Sequence, residues 1–162
     1  MTTTIKRATR DQADVLTQIA HEAKRYWGYP ESWIALWRDS LSITSGFIEN
    51  NKTYVTLVDG EVAGFYVLID AGEKAILDHM WLRPGYIGQG IGRELFTHAV
   101  ETATSLGASS IEIEADPNAE GFYLRMGATR IGESQYEIEG SPRLLPLLIV
   151  NLKRDELSQS AK

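Results

Sequence analysis

Apolar positions along the chain change period several times, and each change marks an element. Val15, Leu16, Ile19, Ala20 and Ala23 recur at helical spacing, the stripe of an amphipathic helix. A short strand over residues 5–8 precedes it. Thr9, with Gln12 three positions on, supplies a capping-box start, and Gly28 marks the end. Trp33, Ile34 and Trp37 then share one face of a second helix opened by Pro30 or Glu31, and residues 44–50 suit a short further helical turn. Residues 52–58 and 61–69 read as strands joined by Asp59-Gly60, a two-residue hairpin signal. After a turn at Gly72, residues 75–82 make a third consecutive antiparallel strand. Leu95, Phe96, Ala99 and Val100 restore helical spacing over about 88–105, and Gly107 is the C′ glycine. Ile111, Glu112, Ile113 and Glu114 alternate as a strand does. Residues 119–126 form a short helix closed by Gly127, 128–139 are extended, and a break at 140–142 leads to a last apolar strand over 144–152. Pro146 lacks an amide proton, which predicts an edge or a bulge there.

The resulting order, β-α-α-β-β-β-α-β-α-β-β, defines an α/β (α+β) fold with one mixed sheet flanked by helices. We expect a single domain over 1–155 and a polar tail over 156–162. The chain has 162 residues, enough for a substantial core. Its formal charge of −6 carries no basic patch, so neither nucleic acid nor a membrane surface is an expected partner. There is no cysteine, which removes disulfides, thiolate metal sites and a cysteine nucleophile. His21, His79 and His98 are far apart in sequence, so no metal site is expected. No signal peptide or membrane-length apolar run is present, and a cytoplasmic location is the simplest expectation.

One stretch concentrates the chemistry. Residues 76–82 are a mostly apolar strand, Pro84-Gly85 ends it, and Gly88, Gly90 and Gly92 alternate before the next helix. The first amides of a helix lack intrahelical partners and carry partial positive charge. Glycines let the backbone approach a ligand closely, so a phosphate group is the fitting guest, with Arg93 as an added cation. A plain tight turn requiring positive φ is the alternative. The dinucleotide pattern G-x-G-x-x-G fails, because its third glycine would fall on Arg93 or Leu95. The Gly-Lys-Ser/Thr of a P-loop is absent.

The glycine spacing instead resembles motif A of the GNAT N-acetyltransferase family, Q/R-x-x-G-x-G/A, with Gly90 and Gly92 as its glycines. The leading Gln or Arg falls on Ile87, which offers only a backbone amide. The element order is also similar to the GNAT fold over nearly the whole chain. Residues 118–128, from Asn118 through Phe122-Tyr123 to Gly127-Ala128, resemble the family's N-x-x-FY-x-x-x-GF segment in shortened form. This resemblance implies acetyl-coenzyme A as cosubstrate. It implies that Gly88, Gln89, Gly90, Ile91, Gly92 and Arg93 hold the pyrophosphate and that the backbone of Met80, Trp81 and Leu82 aligns the thioester. Asn118 then lies near the pantetheine arm, and Tyr123 protonates the departing thiolate. Read from the residues alone, Asn118 is equally an N-cap, Phe122 a core residue, and Tyr123 a half-buried ring with a wet hydroxyl.

Asp78 stands where some members carry a base, with a structural hydrogen-bond acceptor as the alternative. His79 has the better-placed ordinary pKa and shares the opposite strand face with Trp81. Tyr26, Trp27 and Tyr29 surround Gly28 and are candidate walls of an acceptor pocket, while Trp33 and Trp37 read as core. Arg143 can reach a carboxylate or phosphate, or make a surface salt bridge. The combined reading is an N-acetyltransferase moving acetyl from acetyl-coenzyme A to a primary amine of a small molecule or peptide by direct attack in a ternary complex. Apolar late strands often pair in this family, so a homodimer is one of the states left open; the residues themselves do not specify the oligomer. Two alternatives stay open: a non-catalytic acyl-coenzyme A sensor of the same fold, and a nucleotide-binding domain with an unusual loop.

Overall fold

The computed structural model describes residues 1–152. The domain limit expected at 155 and the tail over 156–162 lie outside the described residues. The strands are β1 (Thr3–Arg7), β2 (Lys52–Val58), β3 (Glu61–Ala71), β4 (Lys74–Leu82), β5 (Ser110–Glu114), β6 (Thr129–Ile138) and β7 (Ser141–Asn151). The helices are α1 (Ala13–Tyr26), α2 (Glu31–Leu36), α3 (Ser45–Asn50), α4 (Ile91–Ser105) and α5 (Glu120–Arg125). The seven strands form one mixed sheet in the order β1-β2-β3-β4-β5-β7-β6. Two compact units are distinguished among the described residues, 1–68 with 79–96, and 69–78 with 97–152.

In the first unit, β1 runs antiparallel to β2 and β2 antiparallel to β3. Asp59 (φ 50°) and Gly60 (φ 86°) take the left-handed conformation between Val58 and Glu61, the type I′ geometry that suits the strand twist. Thr9 donates its amide to the Gln12 side chain at 2.9 Å, so the capping box closes on the 3-10 turn Arg10–Gln12 that leads into α1. Leu16, Ile19 and Ala20 of α1 pack with Ile43, Ile48, Val55, Phe65 and Val67 in one core cluster. Thr44 caps α3 by accepting the Phe47 amide at 3.1 Å.

In the second unit, Lys74–Ile76 of β4 pair in parallel with Ser110–Glu112 of β5, and β7 runs antiparallel to β5 and β6. The break expected at 140–142 is only a two-residue turn: Glu139 (φ 50°) and Gly140 (φ 78°) join Ile138 to Ser141, and β7 continues through both prolines. Strand β7 is paired on both sides, but at Pro146 the β5 ladder has already ended, its last pair being Glu114 with Leu147. The Pro146 carbonyl accepts the Ala115 amide at 2.9 Å, one residue past the end of β5. A residue's N and C=O point to the same side of a strand, so the missing N–H faces the side where β5 has ended. The bulge falls on β6 instead, between Arg130 and Gly132.

Candidate active site

In the first unit, Pro84–Tyr86 form a 3-10 turn after β4, and the glycine loop follows. Gly88 and Gly90 both have φ of 83°, so both need glycine for the backbone. A Cβ on either would meet nothing within 4 Å, which leaves that side of the backbone open. Helix α4 begins at Ile91 rather than at Gly88. Among the described residues, the amides of Ile91, Gly92 and Arg93 donate to no backbone carbonyl, and the first such bond of the helix is Glu94 to Gly90 at 3.2 Å. Ile91 is buried with Val58 and Ala63, against Leu82 and Tyr86, and this anchors the first turn. Arg93 is exposed, and Gln89 turns its side chain back to donate to the Gly85 carbonyl at 3.0 Å. The Ile87 amide is committed to the Pro84 carbonyl at 3.2 Å, so Ile87 offers a ligand neither side chain nor amide. The loop thus leaves a short run of amides without backbone partners at the positive end of a long helix, the arrangement that receives an anion.

At the end of β4, Met80, Trp81 and Leu82 are all half-buried. His79 and Trp81 share a face as the strand alternation predicts, and the indole N–H of Trp81 donates to Nδ1 of His79 at 3.0 Å. His79 also stands edge-on to Phe47 (5.9 Å between centroids) and stacks on Phe65 (6.2 Å). Arg83, the next residue after β4, holds Glu22 of α1 through one nitrogen at 2.8 and 3.0 Å and donates Nε to the Val62 carbonyl at 3.0 Å.

The aromatic run after α1 divides. Tyr29 stacks on Trp33 (5.9 Å) and meets Trp37 edge-on (5.0 Å), and Trp33 meets Trp37 edge-on (5.9 Å). Trp33 and Trp37 are half-buried rather than core plugs. Tyr26 and Trp27 pair with each other at 5.3 Å and are 54% and 38% exposed. The sequence reading missed the group at the centre. The Lys24 ammonium lies 4.2 Å from the Trp37 ring centroid, 4.9 Å from Tyr29 and 5.9 Å from Trp81, and Lys24 is 9% exposed. The signal was present in the apolar stripe of α1, since Leu16, Ala20 and Lys24 recur at four-residue spacing and Lys24 carries the buried face to its last turn.

In the second unit, Asp116 organises the turn after β5. One carboxylate oxygen accepts the Asn118 amide at 2.8 Å and the Asn118 side-chain amide at 3.0 Å. The other lies 3.6 Å from Arg143, with 7% and 9% of the two side chains exposed. Arg143 therefore does reach a carboxylate, in a nearly buried pair within the chain and not at the surface. Asp116, not Asn118, caps the 3-10 turn Pro117–Ala119, and Asn118 is exposed. Tyr123 of α5 is buried at 7% exposure while Phe122 is only half-buried, the reverse of the roles expected for this pair. The two rings meet edge-on at 5.3 Å. Burial pushes the Tyr123 phenol above its ordinary range, with the Asp116 charge adding to the shift. Asp78 is exposed. Among the described residues, no cluster of His, Cys, Asp and Glu is arranged to hold a metal, and no helix is long and apolar enough to cross a membrane.

A mixed seven-stranded sheet flanked by helices is the fold of the GNAT acyltransferases. Residues 15–128 match the model of the acetyltransferase (GNAT) family, and the chain belongs to that family. It is 32% identical over 135 residues to the peptidyl-lysine N-acetyltransferase YjaB of Salmonella typhimurium, an alignment covering 73% of this chain and 88% of that protein. Among solved structures, the PaiA N-acetyltransferase of Thermoplasma acidophilum in complex with coenzyme A superposes with a TM-score of 0.74 at 19% identity, over 93% of this chain and 99% of that one. YncA of Salmonella typhimurium with acetyl-coenzyme A gives a TM-score of 0.70 at 15% identity, over 96% of each chain.

Proposed function

We propose that this enzyme transfers the acetyl group of acetyl-coenzyme A to a primary amine by direct attack on the thioester. The observation that carries the reading is the loop from Gly88 to Arg93, with two left-handed glycines and amides without backbone partners at the start of α4. Its chemistry fits a pyrophosphate: fixed N–H donors and a helix dipole stabilise the charge, and exposed Arg93 adds a cation. The chain has no cysteine to carry the acetyl group as an enzyme thioester, which favours transfer within a ternary complex.

In this reading the backbone of Met80, Trp81 and Leu82 aligns the thioester, and an amide of that strand stabilises the oxyanion that forms as the amine attacks. Asp78 removes the ammonium proton from the acceptor. Asn118, on the turn fixed by Asp116, contacts the pantetheine arm. Tyr123 donates its proton as the carbon–sulfur bond breaks. Burial keeps that phenol protonated, and a thiolate leaving into a desolvated site is raised in the same direction, so donor and acceptor stay matched. Tyr26, Trp27 and Tyr29 line the acceptor side. The named activity of the YjaB relative makes a lysine side chain of a protein one acceptor to test.

Thermal shift with acetyl-coenzyme A, NAD and ATP in parallel tests the donor, since a ligand at about a hundred times its Kd stabilises by about 2.7 kcal/mol. Thiol release with a panel of small amines and lysine peptides tests the reaction. Stabilisation by acetyl-coenzyme A together with acceptor-dependent thiol release is the expected outcome. Stabilisation without release on any amine favours a sensor, and stabilisation only by NAD or ATP rejects the acyltransfer reading.

A further inference from the structure

We propose that the cage formed by Tyr29, Trp37 and Trp81 is an ammonium receptor for the acceptor, and that Lys24 is its built-in occupant. The proposal rests on the N-acetyltransferase reading for the identity of the guest. The cage itself rests on geometry. Three ring centroids lie 4.2, 4.9 and 5.9 Å from the Lys24 ammonium, within the reach of cation–π attraction. The presence of Lys24 shows that the space admits an alkylammonium group.

The rings are held in place by contacts that do not involve Lys24. Tyr29 and Trp37 meet at 5.0 Å, and both contact Trp33 at 5.9 Å. Trp81 is fixed by its bond to His79 and packs on the core of the first unit. Lys24 lies in the last turn of α1, a few residues before left-handed Gly28, and its four-carbon stem is flexible. An ammonium guest can therefore exchange with it while the rings stay in place.

The cage also selects which nitrogen it takes. A ring quadrupole attracts the charged ammonium and gives nothing comparable to a neutral amine. The nitrogen in the cage is thus kept protonated and cannot be the one that attacks the thioester. The acceptor class that follows carries two cationic centres, one held in the cage and one that loses its proton and receives the acetyl group.

The test uses the full chain and tetramethylammonium chloride, with sodium chloride at matched ionic strength as control, read by tryptophan emission. Lys24→Ala should give saturable binding about tenfold tighter than the wild type, while Lys24→Arg, which keeps a cation in the cage, should remain closed. Lys24→Gln, with a long uncharged stem, is the second variant and carries the same expectation as Lys24→Ala. Trp37→Leu in the Lys24→Ala background should abolish the response. Equal responses in the wild type and both uncharged variants, or none in any of them, overturn the cage. In turnover, Lys24→Gln should lower KM for a diamine relative to a monoamine of the same length and leave KM for acetyl-coenzyme A unchanged. Turnover on amines with no ammonium binding overturns the cage alone, and ammonium binding with no turnover on any amine overturns the acceptor assignment.

Discussion

The indole N–H of Trp81 donates to Nδ1 of His79 at 3.0 Å. An indole nitrogen can only donate, so Nδ1 must accept, and a neutral His79 carries its proton on Nε2. One bond between alternate residues of β4 thus sets both the tautomer of the imidazole and the orientation of a cage wall. Trp81→Phe keeps an aromatic face, loses the fused five-membered ring and removes the donor. Long-range proton–nitrogen spectra should show neutral His79 as the Nε2–H tautomer in the wild type and a mixture in the variant. The variant should lose about 1 kcal/mol of stability, the net worth of a typical hydrogen bond. An unchanged tautomer in Trp81→Phe would show that another contact controls the ring.

Two glycines of the first unit should respond differently to alanine. A Cβ on Gly64 would lie 2.5 Å from both the Trp81 carbonyl oxygen and Leu82 Cδ2, and 3.2 Å from Leu82 Cα. Two of those atoms are backbone and cannot rotate away. Gly64→Ala should therefore displace the end of β4, cost about 1–3 kcal/mol as overpacking does, and raise KM for acetyl-coenzyme A by moving the Met80–Leu82 backbone. Gly88→Ala meets nothing within 4 Å but must hold a φ of 83°. Its cost, about 1–2 kcal/mol, comes from the left-handed backbone alone. Urea melts give the two stabilities. Near-wild-type behaviour of Gly64→Ala would show that β4 has room to yield.

The Arg143–Asp116 pair joins β7 to the turn that presents Asn118, with both side chains nearly buried and 3.6 Å between charged atoms. Removing one partner of a buried pair leaves an uncompensated charge and costs about 3–5 kcal/mol. Arg143→Met should fall toward the lower end of that range, because the pair is long. It should also weaken acetyl-coenzyme A binding, through the loosened Asn118 turn. Equilibrium denaturation and coenzyme titration measure the two effects. A stability loss with no change in coenzyme affinity would confine Arg143 to a structural role.

Backbone patterns were readable where one local rule decided the outcome. Asp59-Gly60 and the alternation of Ile111 and Ile113 specify their hairpin and strand without help from the rest of the chain, and the alternating glycines placed the loop at the start of α4. Side-chain roles that depend on distant neighbours were not readable. Nothing near Lys24 in sequence brings Trp81 beside it, because that contact joins α1 to β4. Phe122 and Tyr123 exchanged their expected roles because adjacent residues on a helix point in different directions, and the hydrophobicity of the two rings does not say which will face inward. Pro146 misled for a similar reason: its missing donor faces the end of β5, and only the register of three strands reveals where that end falls.

The Tyr123 phenol makes a test of sign. Burial, reinforced by Asp116, raises its pKa in the folded protein above the ordinary value near 10. The folded state therefore holds its proton more tightly than the unfolded state, and stability on this account is fully present below pH 10. Above that pH the unfolded chain loses the proton first, and stability falls as pH rises toward the folded pKa. Tyr123→Phe has no proton to lose, so its denaturation midpoint should decline less than that of the wild type on the alkaline side. At neutral pH the same variant should lose most of its kcat if Tyr123 donates to the departing thiolate, a general-acid effect of about a hundredfold or more, with KM for acetyl-coenzyme A little changed. A wild-type kcat in Tyr123→Phe with the flatter alkaline profile would leave the burial intact and remove Tyr123 from the chemistry.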